Sequence, residues 1–225
     1  VRLFYLYPET ISPALVELLA HHPKVLPYVD MPLQHASDRM LKIMRRGHGL
    51  DRQRHVVETL RTNVPDLVFR SAFIVGHPGE TDADFAELME FVRWAELERA
   101  VVFRYSHEEG TSAFAMPDDV PAKVKDARAR KLLTLQRGIA KRKARALVGR
   151  ELDVIVEGVS DESDLLLEGR WWGQAPEIDG KVFLANGTAR PGEIRKALVT
   201  RASEPALVAD LADERGALPE PLPGE

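Results

Sequence analysis

Cysteine is absent from all 225 residues. No disulfide, thiolate metal ligand or cysteine nucleophile is therefore available to this sequence. Long apolar runs are missing as well. Nothing approaches the ~20 residues a helix needs to cross a bilayer, and the opening VRLFYLYP reads as a buried strand rather than a charged leader followed by a signal core. No membrane association is expected, and a cytoplasmic location follows by default. The seven histidines lack close ligand spacing: His21 and His22 are adjacent at a helix end, and His35, His48, His55, His77 and His107 are scattered. A zinc enzyme is not expected and no metal ligand is assigned. Neither a serine nucleophile elbow nor a P-loop is found. The sequence also has no initiator methionine, and Val1 already begins an apolar pattern, so the expectation is a piece cut from something longer.

With 44% hydrophobic residues, the chain is long enough for one substantial core and a second, smaller domain. Its net charge of −4 hides a division. Residues 123 to 150 hold eleven Lys/Arg against one Asp, whereas residues 149 to 225 hold eight Lys/Arg against sixteen Asp/Glu. A basic helical segment thus leads into an acidic C-terminal domain.

Apolar runs rich in Val, Leu, Ile and aromatics recur at residues 2 to 7, 25 to 31, 67 to 76 and 100 to 106. Amphipathic helical patterns alternate with them at 12 to 21, 38 to 46, 51 to 63 and 82 to 96. This order predicts a parallel sheet with helices outside it. Four such strands are too few to close a barrel. After Pro121 a long helix is expected to about Leu147, burying Leu132, Leu133, Leu135, Ile139 and Ala140. From Glu151 the texture changes to short alternating strands, at 151 to 159, 164 to 172, 181 to 187 and 194 to 202, which predict a small β-barrel or sandwich. The expected domains are 1–120, a connecting helix at 121–148, a β domain at 149–205, and an acidic Pro-rich tail at 206–225 that is frayed.

In parallel α/β folds, chemistry collects in the loops after the strands' C-terminal ends. Here those loops are PLQHAS, GHPGET and SHEEGT. Gly76 and Gly79 permit close backbone approach or positive φ, and Pro78 stiffens the turn. Such a loop could cradle a phosphate, bind an adenine through backbone groups, or simply turn the chain. Arg70 interrupts an apolar strand and needs a polar partner, either an edge salt bridge or an anionic ligand inside a barrel. Gln34 offers donor and acceptor groups. His35 can hydrogen-bond or exchange a proton, and Ser37 is placed to cap the helix beginning at Asp38. Tyr105, Ser106, Glu108 and Glu109 lie where the last strand opens into a loop, either as solvated charge or as substrate contacts.

The ordered segments PLQHASDRMLKIMRRG, RSAFIVGHPGETDADF, FRYSHEEGTSA, VGRELDVIVEG and GRWWGQAPEIDG together resemble the RimO-type radical-SAM methylthiotransferases. The resemblance covers residues 1 to about 202. It implies an α/β fold, a partial parallel (β/α) radical-SAM barrel of TIM-like kind, followed by a small all-β, OB-like TRAM domain. It further implies S-adenosylmethionine and two four-iron four-sulfur clusters as cofactors. In the family a reduced cluster cleaves S-adenosylmethionine, the deoxyadenosyl radical removes hydrogen from an unactivated carbon, an auxiliary cluster helps deliver sulfur, and a second S-adenosylmethionine supplies the methyl group. The family builds its radical cluster on CxxxCxxC, and this sequence has no such loop, so the stretch alone is expected to be inactive.

By the same resemblance, Gln34, Ile74, Val75, Gly76 and Glu80 face S-adenosylmethionine, and Arg70 reaches its carboxylate or the substrate. His35, Tyr105, Glu108, Trp171 and Trp172 are assigned to substrate, while the residues that carry out the reaction are not assigned. His77 departs from the family's GFPGE loop. The implied substrate is the β-carbon of an aspartate in the small-subunit ribosomal protein of the S-twelve family, a basic partner that an acidic domain suits. The basic helix could contact ribosomal RNA. Two alternatives stand beside this reading: the sister branch that methylthiolates adenosine in transfer RNA, and a non-catalytic module binding protein or RNA. Against transfer RNA stands the acidic C-terminal domain, a poor partner for a phosphate backbone.

Overall fold

Alternation decides the centre of the molecule. In the run VFRSAFIV, every second side chain from Phe69 is buried, a period-two pattern that a half-covered strand requires. The computed structural model describes residues 1–203 and 205–212, and divides the chain into two compact units, the first spanning Val1–Ile139 and the second beginning at Ala140.

In the first unit, strands β1 (Tyr28–Asp30), β2 (Val68–Val75) and β3 (Arg99–Arg104) form a parallel sheet in chain order. Arg70 aligns with Asp30 on one side and with Arg99 on the other. Helix α1 (Pro13–His21) precedes β1, helices α2 (Asp38–Ile43), α3 (Leu50–Asn63) and α4 (Asp82–Ala95) connect the strands, and α5 (Ala122–Arg145) follows. Phe69, Phe73 and Val75 meet Val56, Leu60, Leu88, Phe91 and Leu132 in one cluster on the helix-covered face. Each such side chain contributes roughly 1.5–3 kcal/mol by leaving water.

The local signals for these helices are in the sequence. Ser12 accepts from the Leu15 N–H at 3.2 Å, and Pro13 occupies the first helical position. Thr81 and Asp84 form a reciprocal capping box at the start of α4. Ser37 behaves differently from its expected capping role. It sits at the N-cap of α2, but its hydroxyl donates to Asp84 Oδ1 at 2.6 Å instead of capping. Asp38 supplies a cap elsewhere, accepting the Leu50 N–H at the start of α3.

Residues 2 to 7, expected as a strand, form only an isolated parallel bridge, Leu3 with Val29. Tyr5 adopts φ 57°, a left-handed conformation that breaks an extended run, although the Leu6 N–H still reaches Asp30 O at 2.9 Å.

The second unit is a closed barrel of five strands: β4 (Glu151–Ser160), β5 (Ser163–Trp171), β6 (Val182–Ala185), β7 (Ile194–Ser203) and β8 (Ala206–Leu211), ordered β4-β5-β6-β8-β7. The expected tail from residue 206 is therefore corrected. Leu207, Ala209 and Leu211 point into the barrel, and β8 pairs parallel with β6 and antiparallel with β7. Alternating apolar side chains with two free neighbouring edges favour a strand over a frayed end. Residues 213–225, the rest of that expected tail, lie outside the described residues.

Trp171 is buried, with its ring 4.7 Å from the partly exposed Trp172 in a T-shaped contact. Gly173 makes room for it, since a Cβ there would meet the Trp171 ring at 2.3 Å. Of the two tryptophans assigned to substrate, Trp171 is therefore part of the barrel core.

Candidate functional site at the strand ends

A cleft of about 360 Å³ opens at the C-terminal ends of the three parallel strands. Gln34 enters it after β1, Ile74 and His77 from the end of β2, and Phe103, Tyr105 and Glu108 from β3 and the loop beyond. Arg46 and Arg104 add positive charge to its walls. A volume of this size lies at the small end of the range for ligand pockets.

Gln34 is held by its backbone. It has φ 68°, unusual for a residue with a side chain, yet its N–H donates to Ala72 O at 2.9 Å and its carbonyl accepts from Ile74 N–H at 2.8 Å. The two carbonyls flanking it, of Leu33 and His35, are each 3.0 Å from Gln53 Nε2. Gln53 is fully buried and is reached in turn by His48, whose Nδ1–H donates to Glu9 Oε1 at 2.6 Å. An amide from α3 therefore fixes the conformation of the cleft loop after β1.

His35 lies beneath that loop and outside the cleft. It is fully buried, and its Nδ1 accepts the Ser37 N–H at 3.0 Å. Burial lowers its pKa to about 4, against an opposing pull from Asp84, so the ring is neutral near pH 7. Its assigned position against substrate does not match this placement.

The GHPGE loop is bound from below by two helices. The Gly76 N–H donates to Glu80 Oε2, and Glu80 Oε1 accepts from Arg128 Nη1 at 3.1 Å. Burial pushes the Glu80 carboxyl above the usual range, partly countered by the Arg128 cation and by backbone hydrogen bonds. Glu80 thus faces the protein interior and serves the loop. Val75 likewise belongs to the helix-covered core. Asp119 Oδ1 accepts the Gly79 N–H at 2.7 Å, and Arg39 reaches both Gly79 O and Asp84. Asp84 also accepts from Ser37 and Thr81. Burial alone would raise its pKa, but the bonds from Arg39, Ser37 and Thr81 hold it well below the usual carboxylate range. One carboxylate therefore ties the loop after β1 to the loop after β2.

Gly76 is required twice over. Its φ is 74°, and a Cβ there would lie 2.3 Å from Lys125 Cγ. Lys125 itself is fixed by Asp118 at 2.7 Å and lies over the Tyr105 ring at 5.0 Å. Gly76→Ala should cost about 2–3 kcal/mol, combining left-handed strain with displacement of the lysine stem. Denaturant titration measures this. A change within about 0.5 kcal/mol would mean that Lys125 yields freely.

Arg70 pairs with Asp30 at 3.0 Å. On β2 it shares the sheet face of Ala72 and Ile74, two alternations deeper than the cleft residue Ile74. Of the two readings given for Arg70, a salt bridge or an anionic ligand, the ion pair is present, on the central strand rather than an edge, and Arg70 does not line the cleft to which its assignment to S-adenosylmethionine would bring it.

A Radical SAM superfamily model matches residues 1–92, and a TRAM domain model matches residues 148–211. The chain is 61% identical over 214 residues to "Ribosomal protein uS12 methylthiotransferase RimO" of Sorangium cellulosum, covering 95% of this chain and 44% of that protein. The same-named proteins of Syntrophotalea carbinolica and Myxococcus xanthus are 46% and 43% identical, over 95% and 99% of this chain and 47% and 49% of theirs. The chain is a homologue of RimO.

It spans about half the length of these curated relatives, and joins a radical SAM segment to a TRAM domain. Among solved structures, the radical SAM enzyme coproporphyrinogen III oxidase (HemN) of Escherichia coli aligns with TM-score 0.49 and 14% identity, over 76% of this chain and 44% of that one. The parallel sheet and the closed five-stranded barrel agree with the partial barrel and OB-like domain expected from sequence.

The strand-end loops point to Gln34, Tyr105 and Glu108, and the family resemblance to Ile74; all four line the cleft. Neither points to Gln53, Asp84, Lys125 or Arg128, which hold the cleft loops in place. Gln53 had a signal: it interrupts the stripe it forms with Val56, Val57 and Leu60, and a polar residue on a buried helix face needs partners.

Proposed function

We propose that this stretch forms the strand-end wall of a methylthiotransferase barrel, together with the TRAM domain that meets its substrate. The carrying observation is the identity to RimO proteins along 95% of the chain, combined with the convergence of Gln34, Ile74, His77 and Tyr105 on one cleft. In this reading the cleft takes the adenosyl part of S-adenosylmethionine, whose sulfonium is the source of both adenosyl and methyl groups. Tyr105 and Glu108 stand on the substrate side of the same cleft. The iron–sulfur clusters do not fit this chain, which has no cysteine, and among the described residues no group of His, Asp and Glu could hold a metal ion.

The substrate is read as an aspartate β-carbon in the small-subunit ribosomal protein of the S-twelve family, in the cytoplasm. Charge on the second unit supports a basic protein partner. Asp161, Glu162 and Asp164 are exposed at the β4–β5 turn beside Leu165, which is 91% exposed. Contact with ribosomal RNA through the basic residues of α5 belongs to the same reading. No helix among the described residues is long and apolar enough to cross a membrane.

The test uses the native protein that carries this chain, purified without oxygen and supplied with S-adenosylmethionine, reductant and ribosomal protein. Peptide mass spectrometry should find one methylthio group on an aspartate. Methylthiolated adenosine in added transfer RNA, with the ribosomal protein unchanged, would replace this reading with the sister activity.

A further inference from the structure

His77 lies deep in the cleft wall, 5% exposed, on a loop pinned by Asp119, Glu80 and Arg128. Its two ring nitrogens have different surroundings. Nδ1 is 3.1 Å from Pro78 O, a pure acceptor, so this nitrogen carries the proton. A neutral ring with its proton there leaves a lone pair on Nε2. His35 and His77 differ in place: His35 Nε2 is buried in the protein without a partner, whereas His77 is one of the residues that line the cleft. Tyr105 packs edge-on at 4.9 Å and fixes the ring plane.

We infer that His77 Nε2 is a fixed hydrogen-bond acceptor for an N–H or O–H group of the ligand in the cleft, and so a specificity-determining residue. The inference rests on the reading above, in which that ligand carries an adenosyl group; its ribose hydroxyls and exocyclic amine are donors of the required kind. The groups around the ring keep it neutral. Burial pushes the His77 pKa down, the Pro78 carbonyl pulls it back, and Lys125 on α5 opposes protonation more than Asp119 favours it. Asp118 is paired with Lys125, Tyr105 faces the ring from the end of β3, and His35 below stays neutral. Arg46, Arg104 and Glu108 occupy the more open walls. Protonating His77 would turn Nε2 from acceptor into donor and set two donors against each other.

The test is calorimetric titration of the protein with S-adenosylhomocysteine, for the wild type, His77→Phe and His77→Gln. Thermal denaturation serves as the control for folding. At pH 7.5, His77→Phe should bind about threefold to tenfold more weakly, the worth of one net hydrogen bond. His77→Gln, which keeps an acceptor, should stay close to the wild type. If well-folded His77→Phe binds as tightly as the wild type, the assignment of Nε2 is overturned. If well-folded wild type binds no S-adenosylhomocysteine, the adenosyl reading of the cleft fails and takes this inference with it.

Discussion

Arg128→Met is expected to destabilise the first unit by about 3–5 kcal/mol. The arginine bonds Glu80 Oε1 and Glu80 O, each at 3.1 Å, and Asp82 Oδ1 at 2.7 Å. The Asp82 contact is exposed to water and contributes little. The Glu80 contact is different, because that side chain is fully buried and its partner is 8% exposed. Removing the cation strands a carboxylate that burial already pushes toward protonation. Hydrogen exchange of the α4 amides reads the loss without interference from the barrel unit. The double variant Arg128→Met/Glu80→Gln should recover part of it, since the amide removes the stranded charge while still able to accept from Gly76 N–H. A double variant no more stable than Arg128→Met would mean that the arginine acts through packing alone.

Asp84→Ala should cost about 3 kcal/mol, from lost charge-assisted hydrogen bonds and a lost helix cap. Arg39 is half exposed, so the ion pair itself adds only a small part. The pH dependence has a definite sign. The folded pKa lies below the ordinary value of 3.8, so the carboxylate's contribution is complete above about pH 4–5 and fades as pH falls below 3.8. Stability curves of wild type and variant should run parallel from pH 8 to about 5 and converge in acid. Parallel curves down to pH 2 would contradict a lowered pKa.

Much of this architecture was legible from residues alone, for reasons that differ by element. β2 and α4 declared themselves by period and capping, and those local forces act in the folded chain as they do in short peptides. Residues 2 to 7 failed because apolar composition does not report backbone handedness, and Tyr5 is left-handed. ALVADL was misread because the acidic Pro-rich residues after it dominated the window, although its alternation of Leu207, Ala209 and Leu211 was present. For the cleft, residues on strand-end loops were found and their supports were not. Gln53, Asp84 and Arg128 approach from helices remote in sequence, and a pairing such as Arg128 with Glu80 exists only after those helices have packed. Trp171 and Trp172 illustrate the limit: adjacent and identical in type, they differ in burial through the direction of one strand and the space left at Gly173.

The position of β8 between β6 and β7 has a consequence for biosynthesis. In the parallel sheet of the first unit the spatial order of the strands is their order in the chain, so each can pair with its predecessor as it leaves the ribosome. The barrel cannot grow that way. In the native order β8 lies between β6 and β7 and is the last of the described strands in the chain, so the barrel cannot close until Leu211 has been made. During that interval the inner faces of four strands are open and sticky, so the second unit should depend on chaperones, or on rapid translation through residues 194–211, more than the first.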